Sequence, residues 1–139
     1  MIRTLLTCPL AGAYALLATI SSAQADSCWD HNGSLMRLVA EGNQRSFYYE
    51  APKPSLRGSG IAEGTLLFNG VKNGSRYAGT ARRFSKYCPG SPLEYYVEGP
   101  VRSDQTKVTM RGPYETQRRC RPTGAIREDI LIFTYKFRC

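Results

Sequence analysis

The sequence predicts an all-β domain: a small antiparallel barrel of seven or eight strands stapled by disulfides, with a β-sandwich as the alternative. Three observations favour this class. Apolar side chains recur with period two, turn residues separate short segments, and no stretch of ten or more residues has the periodicity of an amphipathic helix. A barrel is favoured because closing the sheet removes its exposed edges.

Seven segments carry the strand pattern. Residues 107–111 alternate polar and apolar side chains strictly, and residues 130–137 form the most apolar segment. In that last strand Leu131, Phe133, Tyr135 and Phe137 share one face. The other candidates are residues 35–40, 44–50, 64–68, 76–84 and 93–102, and an eighth strand over residues 118–123 would make the number even.

The connections between these segments have suitable turn chemistry. Residues 41–43 are expected to form a tight hairpin, and both Asn69-Gly70 and Asn73-Gly74 supply residues that accept positive φ. Gly79, inside a strand pattern, predicts a bulge or a bend in the barrel wall. Residues 52–60 are expected to form an exposed loop.

The N-terminal segment has the pattern of a cleavable signal peptide over residues 1–25. A basic start is followed by a short apolar stretch and by Ala23-Gln24-Ala25, a small-x-small cleavage site. The apolar stretch is too short for a membrane anchor and contains Pro9. We therefore expect one domain over residues 26–139, in the periplasm or secreted, with no transmembrane segment after cleavage.

Four cysteines remain after that cleavage, and an even number in an exported chain predicts two disulfides, for which three connectivities exist. Zinc is disfavoured because no two cysteines have metal-ligand spacing and His31 is the only histidine. If the barrel has eight strands, Cys28 pairs with Cys139 and Cys88 with Cys120. With seven strands that pairing fails.

The charge of the predicted mature chain is positive. Removing Arg3 leaves 18 Lys and Arg against 11 Asp and Glu, a net charge of +7. Anionic lipid, acidic glycan and nucleic acid are the partners that such a charge favours, and export argues against nucleic acid. An ordinary basic protein has the same balance, so charge alone selects no function.

A basic cluster around two cysteines is the candidate ligand-binding site. Three cations precede Cys88 and three flank Cys120, so a Cys88–Cys120 bond would gather them at one end of the barrel. Guanidinium groups suit phosphate, sulfate and carboxylate. The alternative is that Arg82 and Arg83 point to opposite faces and that the others only solubilise the chain. The candidate residues are Arg82, Arg83, Lys86, Arg118, Arg119, Arg121 and the neighbouring Tyr87.

Catalytic chemistry has little support in the sequence. His31, the only histidine, lies in an Asp-His-Asn-Gly turn, and the cysteines are expected to be oxidised. Glu94 and Glu98 share one face of a strand, but in a basic protein they are expected to pair with cations. We predict no enzyme activity, no metal site and no cofactor.

Several segments carry a resemblance that covers nearly all of the mature chain. They are residues 28–38 (CWDHNGSLMRL), 64–68 (GTLLF), 77–81 (YAGTA) and 108–112 (VTMRG), together with Cys88 and Cys120. The chain resembles a group of small exported bacterial β-rich proteins with no assigned activity. The resemblance implies an envelope location and a β fold, and it carries over no catalytic residue.

These observations predict a non-catalytic binding module for anionic or glycan-type envelope ligands. Two other classes remain open. One is a periplasmic protease inhibitor that uses the loop at residues 52–60, and the other is a structural or assembly factor with an envelope protein as its partner.

Overall fold

A computed structural model describes residues 12, 15 and 26–139, so the predicted signal peptide lies, except for those two positions, outside the described residues. Eight antiparallel strands form a closed barrel in sequence order, which confirms the predicted fold class. No helix in the described part of the chain is long and apolar enough to cross a membrane. The strands are β1 (Ser27–His31), β2 (Ser34–Glu41), β3 (Gln44–Ala51), β4 (Leu66–Asn73), β5 (Arg76–Arg83), β6 (Leu93–Pro100), β7 (Lys107–Arg118) and β8 (Arg121–Arg138).

The interior of the barrel is filled by inward-facing apolar side chains. Phe47 stacks on Phe133 with ring centroids 3.9 Å apart, and the Trp29 ring meets Phe47 edge-on at 5.7 Å. Met36 and Met110 are fully buried beside them. Burying one such side chain contributes about 1.5–3 kcal/mol. Because the centre is packed, the clefts of this barrel lie at its ends.

A glycine pair lets β4 and β5 approach closely. Gly70 lies opposite Gly79, and a Cβ atom on either residue would collide with the backbone of the other strand. Asn69-Gly70 therefore lies inside β4, and the prediction of a turn there is wrong. Asn73-Gly74 does form the β4–β5 turn, with Gly74 at φ 59°. No register shift occurs at Gly79, so the predicted bulge is absent there.

The last hairpin is much longer than predicted. β7 continues past residue 111 to Arg118, and β8 begins at Arg121 rather than near residue 130. Gly112, Pro113 and Pro122 interrupt the alternation that would have indicated these extensions. β1 pairs only with residues 134–138 of β8, so residues 114–127 form a two-stranded extension, here named the ribbon.

Both predicted disulfides are present, but the eighth strand is not the one expected. Residues 118–123 form the tip of the ribbon, whereas the additional strand is β1, which contains Cys28. Cys28 is bonded to Cys139 and Cys88 to Cys120, with Cα–Cα distances of 5.1 and 5.7 Å. In the chain-entropy model the closed loops correspond to about 5 and about 4 kcal/mol of stabilisation.

Because the number of antiparallel strands is even, the start of β1 and the end of β8 lie at the same end of the barrel. The terminal end contains the start of β1, the end of β8 and the Cys28–Cys139 bond. The ribbon end contains the ribbon, the loop at residues 84–92 and the Cys88–Cys120 bond.

Two aromatic side chains near the terminal end lie in different environments. Trp29 is in the core against Phe47 and Tyr135. Phe137 is exposed although Leu131 and Phe133 are buried. The β1–β8 pairing shifts register between Cys28 and Trp29, which breaks the alternation before Phe137 is reached.

Candidate functional site: a basic cleft at the ribbon end

A cleft of about 570 Å³ opens at the ribbon end, between the ribbon and the loop at residues 84–92. We name it the basic cleft. Four of its lining side chains are arginines, and two tyrosines flank them. These residues are Arg83, Arg118, Arg119, Arg127, Tyr87 and Tyr114.

The tip of the ribbon has a backbone conformation and a pairing of charges that its residues disfavour. Arg119 and Cys120 form a two-residue turn with φ values of 47° and 69°, a left-handed conformation usually taken by Asn and Gly. Arg118 and Arg121 face each other across the strands, and like charges at such a position repel. The bond from Cys120 to Cys88 ties the tip to the opposite wall of the cleft. The disulfide therefore holds cations where the local sequence alone would not.

Arginines on the barrel wall and arginines of the basic cleft differ in their partners. On the wall, Arg37 lies 2.8 Å from Glu50 and Arg111 lies 3.2 Å from Glu128. In the cleft, Arg118, Arg119 and Arg127 have no carboxylate within 4.0 Å among the described residues. These three guanidinium groups retain their hydrogen-bonding capacity for a ligand.

Arg83 is the exception in the cleft, because its charge is already engaged. Its guanidinium lies 3.2 Å from Asp129 and 4.2 Å from the centroid of the Tyr114 ring. The Tyr95 hydroxyl also donates to Asp129. Burial, followed by this hydrogen bond, raises the pKa of Tyr95, so the hydroxyl stays protonated. Arg83 thus orders the wall of the cleft and adds little net charge to it.

The predicted cluster is only partly brought together. Arg83, Tyr87, Arg118 and Arg119 line the cleft. Arg82 does not: it points out of the barrel, hydrogen-bonds Asn69 Oδ1 at 2.7 Å and pairs with Glu94 at 3.4 Å. Arg82 and Arg83 therefore point to opposite faces, as the alternative interpretation stated.

Lys86 and Arg121 lie near the cleft without lining it. The Lys86 ammonium lies 5.1 Å from the centroid of the Tyr87 ring, and Arg121 is exposed just beyond the tip. Both contribute positive charge to the ribbon end. Of the six predicted cations, three line the cleft and one of those three is paired.

Sequence reasoning missed Arg127 and Tyr114, which face each other across the ribbon. The signal was present in principle. A two-residue turn at Arg119-Cys120 sets a pairing of Arg118 with Arg121, and counting back along both strands leads toward these residues. A register shift between Glu115 and Gln117 changes that count by two residues, and nothing local indicates the shift.

His31 is a buried structural residue beneath the ribbon end. Its ring stacks on Phe133 at 4.5 Å, and Nδ1 donates to the Ile132 carbonyl at 2.9 Å. Burial lowers its pKa below 6.5, against smaller opposing effects of the Ile132 hydrogen bond and of Asp129 and Asp30. The described residues contain no group of three metal-ligating side chains.

The acidic residues weighed as catalytic pairs form ion pairs. Glu94 lies 3.4 Å from Arg82, and Glu98 lies 3.8 Å from Arg76. This arrangement corresponds to the expectation that such acids pair with cations on an exposed face.

Comparison of the chain with family models, with curated proteins and with solved structures finds no significant match. Arguments about function therefore depend on the geometry of the chain itself.

Proposed function

We propose that this chain is an exported, non-catalytic binding module whose basic cleft holds anionic groups of envelope ligands, above all of acidic glycans. One observation carries the proposal. Arg118, Arg119 and Arg127 converge on one cleft without a carboxylate within 4.0 Å, while the wall arginines have partners. Export is part of the proposal and is supported by the N-terminal pattern and the two disulfides.

The chemistry of the cleft suits a sugar that carries sulfate, phosphate or carboxylate. A guanidinium presents a planar fork of donors that matches these anions in a bidentate manner. Tyr87 is half exposed and lines the cleft, so its ring offers a flat face beside the cations. Such a face packs on a sugar ring while the arginines hold its anionic group.

The unfavourable conformation and charge pairing at the ribbon tip support the same proposal. Left-handed backbone at two non-glycine residues and the Arg118–Arg121 repulsion both destabilise the tip. Such local conflicts concentrate at functional sites. An anion bound between the arginines would relieve the repulsion.

A non-catalytic role is supported by the state of the groups that could act on a substrate. His31 is buried and hydrogen-bonded, burial lowers its pKa, and it does not line the basic cleft. All four cysteines of residues 26–139 are in disulfides, so no thiolate is available.

The test compares two double charge reversals that change the net charge equally. R119E/R127E removes two cations of the basic cleft, and R57E/K136E reverses two exposed cations outside it. Because each lost contact is a charge-assisted hydrogen bond, we expect R119E/R127E to weaken binding to a sulfated glycan about tenfold or more. The control should retain most of the affinity.

The probe is a heparin-type sulfated glycan, titrated at two salt concentrations and compared with vesicles of anionic lipid. Binding carried by the cleft should weaken as salt rises. Equal losses for the two double variants would contradict the proposal, since they would show that net charge alone drives retention. Binding to the vesicles with none to the glycan would assign the site to lipid headgroups.

A protein partner is the second candidate, because one row of side chains favours it. Ile130 and Ile132 are exposed on the outer face of β8, and Ile126 is exposed further along it. This face would serve a structural or assembly factor. Capture of a defined envelope protein that persists at high salt, and that is lost in I130S/I132S, would favour this role over the basic cleft.

The inhibitor hypothesis has less support. Residues 52–60 contain a short 3₁₀ helix, Pro54–Ser59, and Leu56 packs against the core. The backbone N–H of Lys53 donates to Ser34 Oγ at 3.0 Å. A segment anchored in this way does not present the extended strand that a protease active site accepts.

A further inference from the structure

A second cleft, of about 450 Å³, opens at the terminal end of the barrel. We name it the aromatic cleft. Its size is within the range of sites for small organic molecules. It lies at the opposite end from the basic cleft and shares no lining residue with it.

The floor of the aromatic cleft is the upper surface of the hydrophobic core. Trp29, Leu38 and Tyr77 are buried, and each also borders the cleft. Tyr135, partly buried, completes the floor and meets the Trp29 ring edge-on at 5.7 Å. An apolar or aromatic body would pack on this floor and exclude water from it.

Tyr77 supplies a polar group at the cleft. Its side chain is only 3% exposed, and its hydroxyl is not one of the buried polar atoms of the described residues that lack a hydrogen-bond partner. Burial raises the pKa of Tyr77 against a smaller opposing effect of Arg45, so the hydroxyl remains a donor. This donor borders a cleft in which a ligand atom can accept a hydrogen bond from it.

The rim of the cleft is cationic because cations occupy inward-facing positions at strand ends. Lys72 lies directly opposite Tyr77 on the neighbouring strand, so both side chains face the barrel axis. Arg45 shares the inward face of Phe47, two residues along β3, and Arg138 lies opposite Ser27 of the rim. Cations at such positions are unusual in a barrel whose interior is otherwise apolar.

The one carboxylate of this rim does not neutralise these cations. Asp104 accepts hydrogen bonds from the Thr106 hydroxyl and backbone N–H, and it pairs with Arg102 at 3.0 Å. Among the described residues, Arg45, Lys72 and Arg138 have no carboxylate within 4.0 Å. Because Asp104 is paired with Arg102, all three of these positive charges remain at the mouth of an apolar cleft.

We propose that the aromatic cleft binds a small organic carboxylate with an apolar body. The carboxylate accepts a hydrogen bond from the Tyr77 hydroxyl and pairs with Lys72 and Arg138. The apolar body lies on Trp29 and Leu38. This site is independent of the anion binding proposed for the basic cleft.

The chain contains a built-in reporter, because Trp29 is its only tryptophan and lies in the floor of this cleft. Protein recovered from the periplasm of an expressing bacterium is titrated while tryptophan fluorescence is recorded. Four probes test separately whether binding requires a negative charge and an apolar body. They are octanoate, octanol, octylammonium and acetate. We expect a saturable change with octanoate, at least tenfold weaker binding of octanol and octylammonium, and no response to acetate.

Two variants and one control assign the response to the cleft. K72Q/R138Q should weaken octanoate binding about tenfold and leave octanol binding unchanged, and Y77F should weaken octanoate binding about fivefold or more. R119Q/R127Q, in the basic cleft, should bind octanoate as the parent chain does. Equal affinity for octanoate and octanol, or no saturable change with octanoate, would overturn the proposal.

Discussion

The two ends of the barrel contain the same kinds of residue in different arrangements. Each end has arginines, aromatic rings and one disulfide. At the terminal end, two turns have favourable glycines, Gly42 and Gly74, and the disulfide joins the first strand to the last. At the ribbon end, the tip turn has left-handed Arg119 and Cys120, and the disulfide joins two loops. One disulfide therefore closes the barrel, whereas the other shapes a cleft.

This difference teaches that cations at a barrel end have two origins. At the terminal end they occupy inward positions of well-formed strands, where the pleat alone directs them over the core. At the ribbon end they lie on an extension whose tip a disulfide ties to the neighbouring loop, while Tyr114 packs against the barrel. Perturbing each disulfide should reveal the contrast.

Removing the two disulfides one at a time should give the largest effects that we expect. One removal should mainly lower stability, and the other should also abolish glycan binding. C28A/C139A opens a loop with a sequence separation of 111 residues and should lower the free energy of unfolding by about 5 kcal/mol. C88A/C120A opens one of 32 residues and should cost about 4 kcal/mol or less, but it should abolish glycan binding. Urea denaturation and glycan titration of both variants measure the two effects.

The parent chain under identical oxidising conditions is the control. If C28A/C139A retains its fold, it should bind the sulfated glycan normally. Normal glycan binding by C88A/C120A would refute the assignment of the second disulfide to the shape of the basic cleft.

Acidification should destabilise the barrel through His31, which lies beneath the ribbon end. The folded-state pKa is below 6.5, so the unfolded chain binds the proton more tightly and stability falls as pH decreases below about 6.5. Between pH 7.5 and 5.5 the loss should reach up to about 1.4 kcal/mol. Because the chain has no other histidine, H31Q should remove this dependence, as measured by urea denaturation at both pH values. An unchanged pH dependence in H31Q would contradict this role.

Replacing one residue of the ribbon tip should raise the stability of the fold and lower its affinity for the glycan. This is the smallest effect on stability that we expect. R119N places asparagine, which tolerates the left-handed region, at a position with φ 47°. We expect stability to rise by about 0.5–1 kcal/mol while affinity for the sulfated glycan falls several-fold. Thermal unfolding and titration test the two parts. A loss of stability would indicate that Arg119 supports the tip.

The sequence predicted much of the barrel because the relevant signals are local. Alternation in residues 107–111 identified inward Val108 and Met110, and Asn73-Gly74 identified a turn. The ribbon escaped prediction because Pro113 and Pro122 disrupt the alternation by which a strand is recognised.

The sequence predicted residues of a candidate site only where a disulfide bond indicated that distant segments of the chain meet. The Cys88–Cys120 bond predicted that Arg83, Arg118 and Arg119 would gather at one end. Arg127 depends on a register shift, so it was missed. The aromatic cleft combines Arg45, Lys72 and Arg138 from three strands, and no spacing along the chain indicates that they meet.

The amino-acid sequence by itself determined the all-β class, the number of disulfide bonds and most of the inward faces, since period-two patterning, turn residues and cysteine parity can be read along the chain. Tertiary structure alone decided which cations keep a carboxylate partner and which face an open cleft. That outcome depends on strand register and closure of the barrel, which bring together atoms that are distant along the chain.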